Sequence, residues 1–65
     1  MKLWINGQEF DYADNLTLLE VLQQFAAKAP FAIMINQEFI AQSQYSTQAL
    51  HEGDQIEVFS AIQGG

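Results

Sequence analysis

The stretch MKLWINGQEFDYADNLTLLEVLQQFAAKAP, residues 1–30, decides the fold. At its start Met1, Leu3 and Ile5 alternate with Lys2, Trp4 and Asn6, the period of a half-buried strand. Asn6-Gly7 comes next, and Asn-Gly between two such runs is the strongest short hairpin signal, because a type I′ turn needs positive φ at both central positions. QEFDYA, residues 8–13, then reads as the returning strand, with Phe10 and Tyr12 on one face. Thr17 and Glu20 have the spacing of a capping box, and Leu16 stands where it can staple onto Val21, so a helix is predicted to start here. Leu18, Leu22, Phe25, Ala26 and Ala29 recur at 0, +4, +7, +8 and +11, one helical stripe, and Pro30 forbids its continuation.

Downstream, Phe31-Ala32-Ile33-Met34-Ile35 reads as a buried strand, Asn36-Gln37 as a turn, and Glu38-Phe39-Ile40 as a short strand completing a second hairpin. Residues 41–50 are polar, with Tyr45 and Leu50 as isolated anchors, which predicts a loop holding one short helical turn. His51-Glu52-Gly53-Asp54 is turn chemistry, and Gln55 to Ile62 reads as the final strand. Strand, strand, helix, strand, strand, strand is the order of an α+β, ubiquitin-like β-grasp: a mixed sheet of four to five strands with one main helix packed on one face. No repeat or linker interrupts residues 1–65, which are expected to form a single domain with a flexible Gly64-Gly65 tail.

Composition narrows the function. A 65-residue domain buries only about 60% of the surface its unfolded chain exposes, and here 49% hydrophobic residues have to supply the core without cysteine. Neither disulfides nor a cysteine-based zinc site can staple such a chain. Eight acidic residues face two lysines, for a formal charge of −6. That surface repels phosphate backbones and anionic headgroups, so neither nucleic acid nor membrane is an expected partner; the charge suits a basic protein partner or simply keeps a small domain in solution. The longest apolar run, Phe31 to Ile35, is far too short to span a bilayer, and the chain is read as cytoplasmic.

Nothing in the residues suggests an enzyme. His51 has no second histidine or cysteine to complete a metal site, Asp54 stands in turn chemistry, and Gly7 and Gly53 stand singly, matching no phosphate loop. No metal or cofactor is expected. Two aromatics stand out instead. If Leu3 and Ile5 point inward then Trp4 points out, and if Ile56 and Val58 point inward then Phe59 and Ala61 point out. With the first and last strands adjacent, Trp4, Phe59, Ala61 and the neighbouring Ile62 form a candidate protein-binding patch. The closing Gly64-Gly65 reads either as a frayed end or as a tail whose bare backbone and carboxylate are its working part, and two glycines at one terminus favour the second.

These features together resemble a family. The opening strand with Asn6-Gly7, the capped helix, Ile35-Asn36-Gln37 before a short strand, and Glu52-Gly53-Asp54-Gln55-Ile56 leading to Ala61-Ile62-Gln63-Gly64-Gly65 are similar to the ThiS-type sulfur carrier proteins of thiamine biosynthesis. The resemblance covers all 65 residues. One departure is that many relatives carry Val-Pro-Arg and then Trp where this chain has Ile40-Ala41-Gln42 and then Tyr45. The resemblance implies that Gly65 offers its α-carboxylate to a ThiF-like, ATP-dependent activating enzyme. Sulfur from a donor such as a cysteine desulfurase then replaces AMP, and the thiocarboxylate serves a thiazole synthase. Gln63 and Gly64 would form the leash, and the exposed face near the last strand would meet the activating enzyme. Other readings are a carrier for molybdopterin, a ubiquitin-like protein modifier, or a non-covalent binding module.

Overall fold

In the computed structural model, which describes residues 1–25 and 32–59, Asn6 and Gly7 take φ values of 53° and 82°. The chain therefore reverses in two residues, and β1 (Lys2–Ile5) pairs antiparallel with β2 (Gln8–Asp11) from Ile5 opposite Gln8 to Lys2 opposite Asp11. The second hairpin is built alike. Asn36 and Gln37, at φ 51° and 70°, join β3 (Ala32–Ile35) to β4 (Glu38–Ile40). The last strand, β5 (Gln55–Phe59), lies between the hairpins, parallel to β1 and antiparallel to β3, giving the order β2-β1-β5-β3-β4. The expected β-grasp architecture, with its mixed sheet, is what the chain adopts.

The helix α1 (Leu18–Phe25) starts where the capping box places it. Thr17 N–H donates to Glu20 Oε1 at 2.9 Å, and Glu20 N–H reaches back to Thr17 Oγ1 at 3.4 Å. Leu18 and Leu19 also lack intrahelical partners for their N–H groups, as every first helical turn does. The loop after β4 supplies them: Leu18 donates to the Gln48 carbonyl at 3.0 Å and Leu19 to the Tyr45 carbonyl at 2.9 Å. That loop holds the expected short helical turn, a 3₁₀ segment at Gln42–Gln44, and both of its anchors, Tyr45 and Leu50, are buried.

Leu3 and Ile5 of β1, Ile33 and Ile35 of β3 and Ile56 of β5 face α1, burying Leu18, Val21 and Leu22 between sheet and helix. Val21, outside the predicted stripe, is fully buried, because at +3 from Leu18 it lies on the same helical face. Leu16, Phe10, Tyr12 and Phe25 pack against this core, with Phe25 edge-on to Phe10 at 5.5 Å between centroids. Ala26, Ala29, Pro30 and Phe31 lie outside the described residues, as do residues 60–62 of the expected final strand.

Candidate functional site

The face of the sheet opposite α1 carries the exposed aromatics. Alternation along β1 and β5 turns Trp4 and Phe59 away from the core, and they are 37% and 39% exposed, as strand parity predicts. Ile5 opposite Ile56 sets the register that brings the two strands together. A third aromatic joins them. Phe39 of β4 is 69% exposed, and its ring lies 6.4 Å from that of Phe59. Met34, half-buried, stands between Phe39 on one side and Glu57 on the other, so the apolar surface runs from β5 to the sheet edge.

The sequence reading did not single out Phe39, yet the signal was present. A two-residue turn at Asn36-Gln37 sets Ile35 opposite Glu38 and Met34 opposite Phe39, so with Ile33 and Ile35 inward, Phe39 has to point outward. A shallow depression beside Trp4 and Phe59 is lined by Asn6, Gly7, Gln55, Ile56 and Glu57. Broad aromatic surface of this kind suits a protein better than a small molecule, since aromatics dominate interface hot spots.

Charge surrounds this surface. Glu9 and Asp11 of β2 and Glu57 of β5 share its parity. Lys2 Nζ lies 3.1 Å from Glu9 Oε2, and that hydrogen bond holds the lysine above its ordinary range. The terminal amine of Met1 donates to the Tyr12 carbonyl and lies 3.0 Å from Asp14 Oδ1. Its pKa is raised, first by the Asp14 hydrogen bond.

Asp54 takes the turn role expected of it: its Oδ2 accepts the His51 N–H at 2.8 Å and its Oδ1 accepts from Asn36 Nδ2 at 3.0 Å. His51 itself is exposed, 4.0 Å from Asp54. Among the described residues no group of three His, Cys, Asp or Glu is placed to hold a metal ion, and no helix is long and apolar enough to cross a membrane. Tyr45 is a core residue beneath the start of α1. The remaining candidates, Ala61, Ile62, Gln63, Gly64 and Gly65, lie outside the described residues.

Comparison with known proteins agrees with this geometry. The ThiS family model matches residues 3–65. The sulfur carrier protein ThiS of Escherichia coli K12 is 33% identical over 66 residues, covering all of both chains. A thiazole synthase of Paramagnetospirillum magneticum is 32% identical over 66 residues, and this chain spans 20% of its length. The crystal structure of the thiamine biosynthesis protein ThiS from Geobacter metallireducens superposes with a TM-score of 0.83 over all of both chains at 22% identity, a likeness of fold. With the sheet order, the capped helix and the match over nearly its whole length, the chain belongs to the ThiS family.

Proposed function

We propose that this chain is a sulfur carrier of thiamine biosynthesis, a substrate of other enzymes and not itself a catalyst. The observation that carries the reading is that the match to the ThiS family runs from residue 3 through the Gly64-Gly65 pair. The reacting group is the α-carboxylate of Gly65. A carboxylate is a poor electrophile, being anionic with oxide as its leaving group. In a ThiF-like activating enzyme one carboxylate oxygen attacks the α-phosphorus of ATP and pyrophosphate leaves. Hydrosulfide then adds to the acyl carbon, and AMP departs with the electron pair of the broken C–O bond. Where a cysteine desulfurase is the donor, its persulfide adds instead, and a thiol supplies the two electrons that cleave the resulting acyl disulfide to the thiocarboxylate. The thiocarboxylate that remains carries sulfur to a thiazole synthase. The relative in which a ThiS-like segment is a fifth of a thiazole synthase supports that recipient.

Each part of the chain has a task in this scheme, which is set in the cytosol. Trp4 and Phe59, with Ala61 and Ile62, supply the docking surface for the activating enzyme. Gln63 and Gly64 bring the carboxylate to the nucleotide, where bare backbone passes through a slot that would exclude side chains. The test is to incubate the chain with a ThiF-like enzyme, ATP and inorganic sulfide and to weigh the intact protein. Replacement of one oxygen by sulfur is expected for the native chain. It should be lost on deleting Gly65 or adding one Ala after it, which shifts the carboxylate by about 3.5 Å. Equal conversion of the extended chain overturns the reading.

A further inference from the structure

Turn chemistry accounts for the backbone of Asn6 and leaves its side chain unexplained. A type I′ turn requires only that residue 6 accept positive φ, which Gly or Asp also does. In the structure the Asn6 amide oxygen accepts the Val58 N–H at 2.9 Å, across a sequence separation of 52. The reason lies in where β1 ends. Trp4 N–H donates to the Asp54 carbonyl at 3.0 Å and Asn6 N–H to the Ile56 carbonyl at 2.9 Å, so the parallel ladder runs to Ile56. The next acceptor for β5 would be a carbonyl of a continuing β1, but at Asn6 the chain turns away with φ 53°. The side-chain oxygen occupies that place and lengthens the ladder by one bond, toward the residues that follow β5.

The start of β5 is gripped from the opposite side. Asn36 Oδ1 accepts the Gln55 N–H at 3.0 Å, and Asn36 N–H donates to the Gln55 carbonyl at 2.7 Å. At the far end, Phe59 is registered on β3 through Ala32, and on the β1 side the Asn6 side chain holds the strand at Val58. We propose that Asn6 is a positioning residue for the reaction at Gly65: by anchoring Val58 it fixes the end of β5 from which the chain continues to the reacting carboxylate. This role rests on the sulfur-carrier reading. It predicts that the loss falls mainly on kcat, because misplacing a reacting group by about 1 Å costs up to about a hundredfold in rate while the docking aromatics Trp4 and Phe59 stay in place.

Three variants of the full chain test it. Asn6→Gly keeps a residue suited to positive φ and removes the acceptor; Asn6→Ala removes the acceptor without adding glycine's freedom; Asn6→Asp retains an acceptor oxygen. Each is assayed for sulfur incorporation with a ThiF-like activating enzyme, ATP and inorganic sulfide, with melting curves and amide hydrogen exchange at Val58 measured alongside. Asn6→Gly and Asn6→Ala should lose about tenfold in kcat, with KM within about twofold of native, and their Val58 amides should exchange at least about tenfold faster. Asn6→Asp should restore kcat to within about twofold of native. Native kcat in both acceptor-less variants, a loss confined to KM, or failure of Asn6→Asp to rescue overturns the positioning role alone. No sulfur incorporation into the native chain overturns the carrier reading, and the positioning role falls with it.

Discussion

The two faces of the sheet use the same strands to opposite ends. On the inner face Leu3, Ile5, Ile33 and Ile56 are 0–1% exposed and pack against α1. On the outer face Trp4, Phe59 and Phe39 are 37%, 39% and 69% exposed, with no second layer over them among the described residues. Alternation makes the inner face aliphatic and closely packed, and its contribution is to stability. The outer face is aromatic and partly exposed, and association is the role we propose for it. The lesson is that a domain this small has one sheet with two unlike faces, and residues adjacent in sequence, such as Leu3 and Trp4, fall on different ones.

The contrast is open to direct attack. The largest effect is expected on the inner face. Leu3→Ala removes a fully buried side chain and should cost about 2–5 kcal/mol in denaturant unfolding. A loss below about 1 kcal/mol would erase the distinction between the faces. Next come Trp4→Ala and Phe59→Ala, each expected to weaken binding to the activating enzyme by about 1–3 kcal/mol by titration calorimetry, with less loss of stability than Leu3→Ala. Phe39→Ala sharpens this. A loss of binding as large as that from Phe59→Ala extends the footprint to the β4 edge, and native affinity confines it to β1 and β5.

Smaller effects lie at the margins. Thr17→Ala removes one half of the capping box that starts α1 against the inner face, and should cost about 1 kcal/mol in the same unfolding assay without altering affinity for the activating enzyme. The smallest concerns the Met1 amine beside Asp14. Its pKa in the folded chain is raised above the ordinary value of 8.0 for a chain-terminal amine, so its stabilising contribution is fully present below pH 8 and is lost as pH rises through the folded-state value. Melting curves of the native chain and Asp14→Asn should therefore differ at neutral pH and converge in alkali. A constant gap would assign the difference to Asp14 alone.

Much of this was legible without coordinates, for a physical reason. Both hairpin turns depend on φ at two adjacent residues, the capping box on residues three apart, and inward or outward facing on a period of two, so each is decided locally. The outward parity of Trp4 and Phe59 followed from such rules, and Phe39 would have followed had the register across Asn36-Gln37 been traced. The family resemblance rested on the same short motifs.

Tertiary structure decided what depends on distant partners. That Gln48 and Tyr45 carbonyls satisfy the first N–H groups of α1, and that the Asn6 side chain replaces a missing strand carbonyl for Val58, depends on where the topology brings segments dozens of residues apart. Composition and periodicity carry no record of such pairings. A backbone N–H near the core has to find an acceptor, but which one is available is settled only when the sheet order β2-β1-β5-β3-β4 is complete.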